Sequence, residues 1–127
     1  MNITVEQMVM FFIIWSIENM SVEIYGVETA SEKFCTIAVS SERVFNQIWQ
    51  PAINELNLDL IGNGVWLCRE NISDILSEFN QIKEYVKNNK NLLDEDKEYV
   101  IKRINYVINN LETNWNEVKT AERLWMG

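Results

Sequence analysis

The chain has 127 residues, 47% of them hydrophobic and 11% aromatic, which supplies one domain with a real core and argues against global disorder. Its 19 acidic residues against 11 basic ones leave a formal charge of −8, and this disfavours a nucleic-acid ligand, whose phosphates must be neutralised by Lys and Arg. There is no histidine, which removes Ser-His and Cys-His nucleophile pairs and the usual zinc and iron ligand sets.

The first element is the run MVMFFIIWSI at residues 8–17. It is half the length of a membrane-spanning helix, which needs about 20 mostly apolar residues. Its flanks carry Glu6 and Glu18, and the leading MNITVEQ has no Lys or Arg for a secretory signal. The expected location is therefore the cytoplasm, and the run reads as a buried amino-terminal element. Thr4 and Gln7 have the spacing of a capping box, which favours a helix over residues 5–18. The β-branched and aromatic content of FFIIW favours a strand, and both readings stay open. Met20 would itself make a natural start, so residues 1–19 can be an extension on a single domain spanning 1–127.

SVEIYGV at 21–27 alternates, with Val22 and Ile24 on one side and Glu23 and Tyr25 on the other, as in a half-buried strand. KFCTIAV at 33–39 puts Cys35, Ile37 and Val39 on one face, and the polar ETASE between them predicts an antiparallel pair. Ser40 or Ser41 then caps a helix with apolar positions Val44, Phe45, Ile48, Trp49, Ala52, Ile53 and Leu56. Pro51 is expected to kink or split that helix near residues 47–50. In DLIGNGVWLC, Asn63-Gly64 is a turn signal, and Gly62-Asn63-Gly64 lacks the third glycine of a dinucleotide fingerprint and the lysine of a P-loop. A small hairpin or a loop–strand unit is expected.

Two helical stripes follow. Ile72, Ile75, Leu76, Phe79, Ile82 and Val86 form one; Val100, Ile104, Val107, Ile108, Leu111, Trp115 and Val118 form the other. KNNKNLL separates them, and Asp94, Glu95 and Asp96 make an acidic first turn that suits the helix dipole better than a calcium loop. Trp49 and Trp115 lie on apolar stripes and are expected in the core. The tail Leu124-Trp125-Met126 either docks on the domain or forms a contact surface, docking being the favoured reading. The expected fold is α+β: a small antiparallel sheet packed against helices, with a carboxy-terminal antiparallel helical hairpin.

Cys35 and Cys68 sit in apolar, strand-like contexts and are expected to be buried free thiols, with a Cys35–Cys68 bridge left open. The remaining carboxylates are scattered over polar helix faces, where solvated charge is the ordinary role. No enzyme, metal or cofactor is expected. The charge is uneven: in residues 1–40, Glu6, Glu18, Glu23, Glu28 and Glu32 face Lys33 alone, a balance of −4.

FNQIWQPAINELNLDLIGNGVWL followed by ENISDILSEFNQIKEYV resembles the small acidic immunity proteins that accompany secreted bacterial toxins, over residues 43–111. The resemblance implies a stoichiometric inhibitor of a cognate toxin, often a basic nuclease, and hence a protein partner that is a basic toxin domain. Carboxylates on such an inhibitor fill a cleft built for phosphate and steer the encounter. The candidate partner-binding residues are Glu23, Glu28 and Glu32 around the first strand pair, with Trp66 and Trp125 as aromatic anchors. Other readings of the same features are a phage or mobile-element inhibitor acting by acidic mimicry, a small homodimeric structural domain, and, last, a histidine-free enzyme.

Overall fold

The computed structural model describes residues 4–7 and 21–127. The capping box forms: the Thr4 amide donates to Gln7 Oε1 at 3.0 Å and the Gln7 amide donates to Thr4 Oγ1 at 3.1 Å, opening a helical turn at 5–7. The run at 8–17, the choice between helix and strand there, and the rest of the proposed extension 1–19 lie outside the described residues.

The fold is α+β, as expected. Four strands, β1 (Ser21–Tyr25), β2 (Ile37–Ser41), β3 (Val65–Cys68) and β4 (Arg123–Met126), form one antiparallel sheet in the order β2-β1-β4-β3. The tail does dock, and it docks as a strand inside the sheet, between β1 and β3. In register, Tyr25 faces Trp125, Trp66 faces Trp125, and Cys68 faces Arg123.

β1 follows its alternation, with Val22 and Ile24 buried at 1% and 0% exposure. The second strand differs from expectation. It begins at Ile37 and takes in Ser40 and Ser41, with a bulge opposite the Val22/Glu23 step. The preceding residues are used for a short 3-10 turn at Thr29–Ser31 and for seating buried Phe34, whose amide donates to Ser31 O at 3.0 Å. Cys35 therefore falls off the strand and is exposed, and Cys68 is half-buried on β3; the expectation of two buried thiols is corrected, and neither is bridged.

Ser41 caps the next helical stretch, its Oγ accepting from the Val44 amide at 3.3 Å. That stretch runs as α1 (Glu42–Val44), a π turn (Phe45–Trp49) and α2 (Gln50–Leu56). The Gln50 amide reaches back five residues to Phe45 O, immediately before Pro51, which has no amide to give. The buried positions share one face. Val44, Ile48 and Ala52, and Phe45, Trp49 and Ile53, recur every four residues, a spacing that drifts by about 40° per step on an α-helix. The wider turn reduces that drift. Asn57 ends α2 in the left-handed conformation (φ 54°), with the Leu58 amide donating to Ile53 O at 3.0 Å.

Asn63-Gly64 forms the turn into β3, Gly64 taking φ +96°. Residues 59–61 are loop, so the loop–strand alternative holds and the hairpin does not. That loop is pinned by Glu78, a 7%-exposed carboxylate that accepts from the Leu60 amide at 3.1 Å. Burial, and then the nearby Asp59 charge, push the Glu78 carboxyl above its ordinary value of 4.5 against the lowering effect of its amide donors.

α3 (Ile72–Asn88) and α4 (Asp94–Glu117) form the helical hairpin, joined across their faces by Lys83 Nζ to Asn105 Oδ1 at 3.0 Å. Their stripes meet the inner sheet face in one core. Trp49 and Trp115 are both fully buried, as expected, with Trp49 stacked on Phe45 at 5.6 Å and edge-on to Phe79 at 6.3 Å.

Candidate functional site

β4 is delivered to the middle of the sheet by a single arginine. α4 has no basic residue in its last turn, so its carbonyls lack an internal counter-charge. Arg69, just after β3, supplies one. Its Nη2 donates to Trp115 O at 2.7 Å and to Val118 O, its Nε donates to Ala121 O at 2.8 Å, and its guanidinium lies 5.2 Å from the Trp115 ring centroid. The Trp115 indole N–H also donates to Ala121 O, at 2.9 Å. Together these bonds set the turn from which Arg123 to Met126 run as a strand.

Once β4 is in place, alternation divides its side chains. Leu124 and Met126 enter the core; Arg123 and Trp125 point to the other face, beside Glu23 and Tyr25 of β1 and Trp66 and Cys68 of β3. None of these six belongs to the core cluster, and Trp66 is 37% exposed.

The outer face holds a connected chain of contacts. Glu28 Oε1 accepts from Arg123 Nε at 2.6 Å and Nη2 at 2.5 Å. The Arg123 guanidinium lies 4.0 Å over the Trp66 ring, and Trp66 meets Trp125 edge-on with centroids 5.1 Å apart. Glu28 is aimed by its own turn: its amide donates to Ser31 Oγ at 3.1 Å, and Ser31 is buried. Gly26 permits that turn, since a Cβ there would stand 1.9 Å from Ser31 O. Trp125 lies down over the backbone for a similar reason. A Cβ on Gly127 would stand 2.6 Å from Trp125 Nε1, so glycine leaves the room the indole uses.

Of the five sequence candidates, Glu23, Glu28, Trp66 and Trp125 are gathered on or beside this face. Glu28 is already paired with Arg123, so it contributes to a neutral link rather than to a free negative patch. Glu32 is exposed and makes no hydrogen bond or ion pair among the described residues. Three members of the face were absent from the sequence candidates, Tyr25, Cys68 and Arg123. Tyr25 carries the signal of sharing Glu23's side of the strand alternation, and Arg123 that of alternating with Trp125 in RLWM.

Among the described residues no group of three or more Cys, Asp or Glu is gathered as a metal site, and no helix is long and apolar enough to cross a membrane. Asp94, Glu95 and Asp96 occupy the first turn of α4. A shallow groove lined by Leu56, Ser77, Gln81, Glu84 and Tyr85 lies between α2 and α3. There the Tyr85 hydroxyl donates to Glu55 Oε2 at 2.5 Å, a bond that pushes the Tyr85 hydroxyl above its ordinary value. Compared with protein-family models, with curated proteins and with solved structures, the chain matches none.

Proposed function

We propose that this chain is a cytoplasmic immunity protein, a stoichiometric inhibitor that binds a basic bacterial toxin domain through the outer face of its sheet. The observation that supports this reading is the shared position of Trp66, Trp125, Glu23 and Glu28 on one face. Aromatic side chains with carboxylates around them are the composition of a protein-binding centre with a polar rim. A formal charge of −8 favours a basic partner and speeds its approach at low salt. No catalytic role is assigned to any residue.

The test is titration of the purified chain with the product of the adjacent gene, with that product's activity followed in parallel. The expected result is a one-to-one complex in which the activity is lost and association slows as salt rises. Absence of a complex at micromolar concentrations, or a complex that leaves the activity intact, would count against inhibition. The competing reading of the face as a homodimer contact predicts a concentration-dependent mass in sedimentation, which Trp66→Glu would abolish.

A further inference from the structure

We propose that the half of the outer face formed by Glu23, Tyr25 and Trp125 is a seat for an arginine side chain of the partner. The inference rests on reading this face as an interface, and it names the chemistry that the interface takes.

The argument begins with the other half of the face, which holds such an arrangement internally. The Arg123 guanidinium lies over Trp66, 4.0 Å from its ring centroid, while both its Nε and Nη2 reach one oxygen of Glu28, at 2.6 and 2.5 Å. An aromatic surface, a carboxylate and a guanidinium thus satisfy one another.

Across the Trp66–Trp125 contact the same parts recur without a cation. Tyr25 stands directly opposite Trp125, and Glu23 lies two residues along β1 on the same face. Opposite Glu23 is Gly127: the Glu23 amide donates to Gly127 O at 3.1 Å and the Gly127 amide donates to Glu23 O at 2.9 Å. Gly127 has no side chain, and the Trp125 indole occupies the space where one would be. The ring therefore lies along β4 over Gly127, whose backbone neighbours are Glu23 on one side and Gly64 on the other. The Glu23 carboxylate accepts from the Ser21 hydroxyl at 2.8 Å and has no ion-pair partner among the described residues. A carboxylate has about four acceptor positions, which leaves room for a forked donor.

No Lys or Arg occurs between residues 21 and 32, while Glu23, Glu28 and Glu32 do. Arg103, which reaches the carbonyl of Ala38 opposite Glu23, is engaged by the Ala38 and Val39 carbonyls and the Tyr106 ring, so among the described residues no cation pairs with Glu23. Arginine fits better than lysine. Its planar guanidinium stacks on a ring and forks to a carboxylate at once, as Arg123 does, whereas an ammonium is compact and more strongly hydrated.

The test uses the full chain and two short acetylated probes, one with three arginines spaced by glycine and its lysine counterpart. Binding is followed by the indole N–H resonances of the five tryptophans. The arginine probe is expected to move the Trp125 signal and leave buried Trp49 and Trp115 in place. The lysine probe should bind about threefold more weakly or worse, and Glu23→Gln should weaken the arginine probe about fivefold, with Glu23→Asp recovering part of the loss. Arg123→Gln empties the Trp66–Glu28 half and is expected to raise the number of bound guanidinium groups from one to two. Equal binding of both probes, or unchanged affinity in Glu23→Gln, overturns the seat. If the toxin domain binds wild type and is lost in Trp125→Leu while the arginine probe shifts nothing, the interface stands and the seat falls. If the probe behaves as described and the adjacent gene's product does not bind, the seat stands and the immunity reading falls.

Discussion

The two faces of this sheet are built from alternate residues of the same four strands, and they differ in what holds them. The inner face is apolar and closed: Val22, Ile24, Leu67, Leu124 and Met126 are all 0–1% exposed. The outer face is aromatic and charged, and its members hold one another through an ion pair, a stacked cation and an edge-on indole pair. Burial stabilises the first, and position organises the second. A change on the inner face is therefore expected to be read in folding, and, under the proposed function, a change on the outer face in binding.

The sharpest way to break that contrast is on β4, where neighbours point to opposite faces. Leu124→Ala removes a fully buried side chain and is expected to lower unfolding free energy by about 2–5 kcal/mol in a denaturant titration. Trp125→Leu, one residue along, should cost about 1 kcal/mol or less. Equal losses would mean that the outer face is core.

Next in size is Arg69→Met. It strands the carbonyls of Trp115, Val118 and Ala121 and removes the cation from the end of α4, at an expected cost of about 2–3 kcal/mol. Arg69→Lys should recover little, because an ammonium cannot reproduce the fork.

Glu28→Gln is smaller. Its ion pair with Arg123 is partly exposed, at 39% and 44%, so the loss should be about 0.2–1 kcal/mol and should shrink as salt is added.

Glu78 is the one charged side chain buried among the described residues, and its effect is read in pH. Its folded-state carboxyl titrates above the ordinary 4.5, so between those values the native state holds the proton more often than the unfolded chain does. The stability this group contributes is therefore full at acid pH and is lost as pH rises through the raised value. Glu78→Gln keeps an acceptor for the Leu60 amide without the charge. Its stability relative to wild type is expected to increase as pH rises from 4.5 toward neutral, measured by thermal unfolding across that range.

The legible parts of this fold were those specified locally. The alternation of SVEIY, the capping residues Thr4, Gln7 and Ser41, the break at Pro51 and both carboxy-terminal stripes each depend on residues within a few positions of one another. β4 was not legible as a strand, because four residues are a short signal and its partners, β1 and β3, lie far away in sequence. Its period-two pattern is nevertheless there in RLWM. The π turn at 45–49 was not legible either, because a four-residue recurrence such as Val44–Ile48–Ala52 is shared by ordinary α-helices. Cys35 misled because the apolar run KFCTIAV looks like a continuous strand, while Phe34 turns inward before the pairing begins at Ile37. The site was half legible. Composition pointed to Glu23, Glu28, Trp66 and Trp125, but only the sheet order brings them together.

The most direct test of the outer face as the binding surface is calorimetric titration of the adjacent gene's product into wild type and into Trp125→Leu, with matched melting curves. The account predicts that Trp125→Leu weakens binding about 30-fold, the loss of a central anchor, while the protein stays folded. A folded Trp125→Leu variant that binds with wild-type affinity would contradict it.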